Sequence, residues 1–406
     1  MTTDHTAEGS LRLEIPPQAA ADPAARPPAA VTPVPAVVPA KAAAPRLAMV
    51  DALRLVAALA VASFHYLGPT TAVYWGASPK AFAYPLHHAA MYGWLGVEAF
   101  FLISGFVICM SGWGRTPGQF TVSRLSRLFP AYWFAILLIV ARIALIPMQT
   151  KHISSLIHPR LVLANLTMLP AELHVSLLDG VAWTLDVEIH FYLLMAVVLA
   201  FGTTYHRMLG FCAVWLLAGV ITSGTHNTML DVFVQSEYTG LFVTGIALYL
   251  MYRFGQNLLL WTLLGFSWAY QLSMLQLRVN AHLADTGTTR TVSWTLCALL
   301  LTGFLGLLAV ATIGPLAHLR WNWMVTAGSL TYPFYLVHQS LGIPLGTELT
   351  RHVPALGHWA TMGLTLATML VLSWLIHRVV EKPLGRWMRQ RLTRGLNPPK
   401  AVAAEA

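Results

Sequence analysis

Charged residues make up only 10% of this 406-residue chain, while 56% are hydrophobic. An average soluble domain is about 25% charged. So sparse a supply cannot cover a water-facing surface, and most of the apolar side chains must face lipid. Cysteine is scarce as well. Cys109, Cys212 and Cys297 each fall inside an apolar run, and none has Cys-x-x-Cys or Cys/His spacing. A disulfide framework is thereby excluded and no metal is expected; each thiol reads as a small buried hydrophobe. No segment interleaves basic and aromatic residues along one face, so the net charge of +9 does not point to a nucleic-acid partner.

What the chain does have is apolar length. Residues 1–46 differ, holding a Pro/Ala tract, PPQAAADPAARPPAAVTPVPAVVPAKAAAP, with nine of the 24 prolines. Alanine between prolines cannot sustain a helix or bury a core, so a disordered cytoplasmic tail is expected. It is not a secretory signal, because no apolar core lies near the N-terminus. After it come ten apolar spans, near 47–67, 93–112, 128–148, 181–201, 208–223, 237–253, 257–275, 291–313, 324–345 and 358–379. The expected fold is all-α, a polytopic transmembrane helical bundle of about ten spans. The transmembrane domain would cover 47–385 and a basic cytoplasmic tail 386–406.

With the N-terminal tail placed in the cytoplasm, that side holds 17 of the 25 lysines and arginines and the far side six, with Arg54 and Arg142 inside spans. Such an asymmetry is the positive-inside pattern. It puts both termini in the cytoplasm and the bundle in the cell membrane. No internal repeat is evident, which weighs against an inverted-repeat transporter.

Ionisable groups inside spans cost several kcal/mol in lipid unless paired, and so are functional candidates. In RLVAALAVASFHY, Arg54 and His65 are eleven residues apart, which places them on one helix face with about 16 Å between them along the axis. Asp51 lies one turn before Arg54, within reach of an ion pair. Histidine moves its proton near neutral pH, as a general base must; the plainer reading is a headgroup contact with Arg54 snorkelling inward. In GWLGVEAFFLISGFVICM, Gly93, Gly96, Gly105 and Ser104 let another backbone approach closely, and Glu98 needs a partner. In FTVSRLSRLFPAYW, Arg124 and Arg127 share one side of a helix, either as topology charges or as a clamp for a polyphosphate.

DGVAWTLDVEIHFYLLMAVV is the densest polar cluster. Trp183, Asp186 and His190 fall on one face and Thr184, Glu188 and Tyr192 on the roughly opposite one, so both faces must meet protein or a wet cavity. In GSLTYPFYLVHQS, Thr331, Tyr335 and His338 share a face, where a satisfied core histidine is the bland alternative. EKPLGRW reads as a structural helix start.

In this order and topology, the pieces resemble the acyltransferase 3 family of integral-membrane O-acyltransferases, over about residues 47–385. The resemblance implies acyl-CoA as donor, most often acetyl-CoA, with no permanently bound cofactor. The acceptor would be a hydroxyl of a sugar, glycan, lipid-linked sugar or secondary metabolite. His65 matches the histidine thought to act in transfer, Arg124 and Arg127 the arginine motif, and Glu188 the fourth-span glutamate. Thr184 stands where the family often has serine, and Glu98 where it has a neutral residue or aspartate. The expected scheme holds the CoA phosphates at Arg124 and Arg127 and threads the acyl arm past Arg54. His65 then acts as base or receives the acyl group itself, with Glu188 supporting it across adjacent spans one and four. Glu98, Ser104, Trp183, Thr184, Asp186, Tyr192, Tyr335 and His338 are the expected supporting set. The competing reading is a proton-coupled transporter or flippase of glycans or lipids that uses the same residues as a proton relay.

Overall fold

A computed structural model describes residues 47–68, 74–145, 158–225, 228–286, 292–319 and 321–396. The tail expected over 1–46 lies outside them. All regular structure among the described residues is helical. The long helices are α1 Ala48–Leu67, α2 Leu95–Gly112, α3 Pro117–Leu145, α4 Trp183–Ala200, α5 Tyr205–Thr225, α6 Ser236–Phe254, α7 Leu258–Thr286, α8 Trp294–Thr312, α9 Asn322–Val337, α10 Gly357–Leu375 and α11 Lys382–Leu396. An apolar run in lipid has no other way to satisfy its backbone N–H and C=O groups. Local signals set several ends. Pro117 opens α3, the Ser293 hydroxyl caps α8 through the amide of Leu296, and Gly255 ends α6 with φ 86°.

Eight helices are long and apolar enough to cross a membrane. The two remaining expected spans correspond to α6 and α9, and each departs for its own reason. Every residue of α6 from Tyr238 to Met251 is buried, so this helix meets protein all round and needs no lipid-matched surface. Helix α9 has 16 residues and is followed by a turn and a separate short helix, Gly342–His352.

Near the C-terminus the chain departs from the boundary expected at 385. α10 runs through a π-helical turn at Ile376–Glu381 directly into α11, one helical rod over Pro354–Gly395. Residues 386–396 therefore extend a helix packed along α3 rather than leaving as a tail. Gly385 makes that contact possible: a Cβ there would lie 2.6 Å from the Ser126 carbonyl oxygen.

The core is a tight pair, α2 against α6. A Cβ on Gly105 would collide with the Phe242 carbonyl, and one on Gly245 with the Leu102 carbonyl, so the two backbones touch at reciprocal glycines. α1 packs on α2 and α9, with Gly96 of α2 seated against the Ala57 carbonyl of α1. The small-residue face expected of span two is thus used on both sides, against α1 and against α6. α4 packs on α2 and α3, not along α1. The expected adjacency of spans one and four is replaced by an arrangement in which α2 touches both.

Substituting valine at Gly245 should push α2 and α6 apart. Overpacking of a dense core costs about 1–3 kcal/mol, so a lower melting temperature in detergent is expected. Gly306→Val provides the control, because nothing lies within 4 Å of a Cβ there. Equal melting of the two variants would contradict the packing account.

Candidate active site

Among the described residues, three cavities are lined by Arg54, His65, Arg124, Arg127 and Glu188. A basic cavity of about 800 Å³ lies between α3 and the C-terminal rod. Arg124 and Arg127 line it together with Arg378, Lys382, Arg386 and Arg389, and Glu381 is the single acid lining it among the described residues. The Glu381 carboxylate already accepts a hydrogen bond from His377 Nδ1 at 2.8 Å. Arg124 is buried, and its Nε has no hydrogen-bond partner among the described residues.

A narrow cavity of about 60 Å³ follows, lined by Arg54, Ser104, Thr184, Glu188, Tyr332 and Tyr335 among others. Ser104 Oγ donates to Glu188 Oε1 at 3.1 Å. Tyr192, one turn after Glu188 on α4, has the Arg124 guanidinium 5.9 Å from its ring centre. Arg54 feels Asp51 and Glu188 as opposite charges and Arg127 as a like one. Tyr335 shares a hydrogen bond with the Thr184 hydroxyl at 3.0 Å.

The third, histidine cavity is about 560 Å³ and adjoins the narrow one, since Val97 and Tyr335 line both. His65, Trp94, Trp183, Glu237, Arg278 and Gln339 stand in its wall. Arg54 and His65 therefore do share one face of α1, and that face opens on the narrow cavity at one end and the histidine cavity at the other.

Not every expected partnership forms. Glu188 is bound to Ser104, while the aromatic neighbours of His65 are Phe64 and His338, each with ring centroids 5.3 Å away. The expected Glu188–His65 support is absent because α4 does not pack along α1. On α4, Trp183 reaches the histidine cavity and Thr184 and Glu188 the narrow one, but Asp186 turns away from both. It joins His190 and Glu172 in a cluster whose nitrogen–oxygen contacts are 3.5 Å. These three could hold a cation by spacing; as they stand, His190 sits between two carboxylates. Among the loops, Asp179 is fully buried and accepts from Ser340 Oγ at 2.5 Å, and burial pushes its carboxyl up to about 7.

Glu98 has its partner in Arg278 of α7, Nε to Oε1 2.6 Å. The same guanidinium donates to Glu237 at 3.0 Å and to the Tyr238 hydroxyl at 2.5 Å, and lies 5.7 Å from the Trp183 ring centre. Sequence reasoning missed Arg278 because it lies beyond the apolar run of its span, on helix that continues to Thr286. A buried Glu98 without a cation nearby in sequence was the signal. The four cations of the C-terminal rod were missed because they read as topology charges.

The family pattern described as an acyltransferase domain, that of the acyltransferase 3 family, matches residues 47–378. The chain belongs to this family. It is an acyltransferase and a multi-pass membrane protein, which decides between the enzyme and the transporter that the same buried residues left open. Exopolysaccharide production protein ExoZ of Rhizobium meliloti (strain 1021) is 36% identical over 118 residues, 27% of this chain and 35% of that protein. The match thus spans about a third of that relative's length. No solved structure matches the chain. The match to the acyltransferase domain ends at Arg378, so all of α11 and three of the cations in the basic cavity lie beyond it.

Removing Arg278 alone would strand the Glu98 charge. Arg278→Leu is expected to destabilise the protein by about 3–5 kcal/mol, as for one half of a buried pair. The double variant Glu98→Leu with Arg278→Leu should recover most of that loss. Thermal melting of the purified proteins checks this, and additive losses would overturn the pairing.

Proposed function

We propose that this acyltransferase moves an acyl group, acetyl most often, from cytoplasmic acyl-CoA to a hydroxyl of a polysaccharide or other glycan, with His65 as general base. The single observation that carries the reading is the one face of α1 on which Arg54 and His65 open to consecutive cavities. The basic cavity is the donor end: six cations there face one carboxylate that is already engaged, an arrangement suited to a polyanion. CoA carries a diphosphate and a ribose 3′-phosphate at one end and its thioester at the other. The thin pantetheine arm passes Glu188 and Arg54 through the narrow cavity while the phosphates stay outside. The excess of positive charge supports taking the donor end as the cytoplasmic side of the cell membrane, with both termini on that side.

At the far end the acceptor hydroxyl enters the histidine cavity. His65 takes its proton as the oxygen attacks the thioester carbon. The tetrahedral intermediate collapses to the ester, and the departing CoA thiolate takes the proton back from the imidazolium. A sugar suits the wall, which combines the side chains of Trp94 and Trp183 with the polar groups of Glu237, Arg278 and Gln339. The name of the ExoZ relative adds support for a polysaccharide acceptor.

The test follows label from radioactive acetyl-CoA into acceptor glycan. His65→Ala should lose at least about 100-fold in kcat, the lower range for a general base; wild-type turnover in the folded variant ends the base assignment. Arg124→Ala with Arg127→Ala should raise the acyl-CoA KM at least about tenfold, about 1.4 kcal/mol of binding, and an unchanged KM would remove the clamp.

The C-terminal rod makes a separate prediction. Arg386→Ala with Arg389→Ala should raise the KM for acetyl-CoA and leave that for acetyl-CoA lacking its 3′-phosphate nearly unchanged. An equal rise for both donors would place the 3′-phosphate elsewhere.

A further inference from the structure

Resting on the general-base reading, the question left at His65 is what orients it. Among the described residues no hydrogen bond reaches its ring, and the one titratable ring beside it is His338, centroids 5.3 Å apart and planes 48° apart. His338 has no exposed surface. Its Nδ1 lies 2.7 Å from the Tyr335 carbonyl, which can only accept, so Nδ1 carries the proton and Nε2 the lone pair. Nε2 is buried and has no donor among the described residues. Leaving a buried acceptor unmet costs about 1–3 kcal/mol, and folded proteins keep few such groups.

The ring is also held from its own backbone. The Tyr66 hydroxyl, next to His65 on α1, donates to the His338 carbonyl at 2.8 Å. Tyr335, one turn earlier on α9, is pinned by Thr184. The direction of the Nε2 lone pair is thus set by three elements, α1, α4 and α9, while the half-buried His65 ring is restrained by no hydrogen bond among the described residues.

We propose that His338 is the positioning residue for His65: its Nε2 accepts the N–H of the His65 imidazole, fixing the tautomer and plane of the base. The other His65 nitrogen then presents its lone pair to the acceptor hydroxyl. In the resting structure the two rings are adjacent but not bonded. A turn of His65 about χ2, a torsion with broad preferences, closes the link. When the hydroxyl proton reaches His65, the imidazolium keeps its N–H toward His338 and later returns the other proton to the CoA thiolate, so His338 ends as it began. Here a neutral imidazole holds the base, the role a carboxylate plays in hydrolytic triads.

The test compares wild type, His65→Ala, His338→Leu, His338→Gln and the double variant His65→Ala with His338→Leu, by label transfer from acetyl-CoA and by melting temperature. His338→Leu should lower kcat about 100-fold, the scale of an acid–base contribution, with the acyl-CoA KM unchanged. His338→Gln, whose Oε1 can accept in place of Nε2, should regain at least about tenfold of that rate. In the His65→Ala background the leucine change should have no further effect, since residues acting as one unit are non-additive. Wild-type kcat in His338→Leu, or an equal loss with and without His65, overturns the inference. Should the leucine variant melt early, the glutamine variant decides: a native melting temperature with no recovered rate also overturns it. Full activity of His65→Ala would instead overturn the general-base reading beneath it, so the two failures are distinguishable.

Discussion

Hydrocarbon offers an ionised side chain neither water nor a counter-charge, so every charged group within this bundle must find its answer inside the protein. That requirement organises the whole interior. Arg54 and Glu188 face one another across the narrow cavity, Arg124 lies against the Tyr192 ring at the basic one, and the Glu98–Arg278–Glu237 cluster forms a second centre against the wall of the histidine cavity. The α2–α6 glycine contact and the seating of α2 on α1 draw the helices close around both. Polar chemistry and backbone contact therefore depend on each other: loosen the glycine seams and the charges meet lipid or water.

Much of this was legible in the residues themselves, because a helix converts spacing into direction. Arg54 and His65 sit eleven residues apart and do open on one line of cavities. Gly96 and Gly105 do mark close approaches, and the two faces of α4 do both meet protein. What spacing does not carry is which helix stands beside which. Glu188 was expected to serve His65; the packing gives it to Ser104 instead, because α4 lies on α2 and α3. Arg278 escaped notice since a span drawn by hydropathy stops where apolar residues stop, whereas the helix continues to Thr286. Lys382, Arg386 and Arg389 escaped because a positive charge near a membrane has a sufficient topological explanation, and only the turn through Ile376–Glu381 aims them at Arg124 and Arg127.

The two ends of the site differ in how charge is treated. At the basic cavity the positive charge is left in excess and largely exposed on the rod, with Arg378, Lys382, Arg386 and Arg389 all solvent-facing. At the histidine cavity Arg278 is bracketed by Glu98 and Glu237 and flanked by aromatic rings, so its charge is met within the fold. An excess attracts a polyanion from solution over several ångströms, whereas an internally balanced wall favours neutral, hydrogen-bonding groups. On the proposed reading, the asymmetry suits a donor whose charge is concentrated at one end and an acceptor that is a polyol.

On the proposed reading, the narrow cavity between them filters by size and by cost. At about 60 Å³, walled by Phe100, Phe101 and Tyr335, it leaves no room for a hydrated diphosphate. A phosphate entering it would also have to shed water next to Glu188, and removing an ion from water costs several kcal/mol even in real protein interiors. An uncharged chain of methylenes and amides is thinner and avoids the larger cost of stripping water from an ion. On the proposed reading, then, the enzyme need not open across the membrane to bring thioester and hydroxyl together. The charged handle stays on one side, the acceptor on the other, and the distance between Arg54 and His65 along one helix is spanned by the part of the donor that carries no charge.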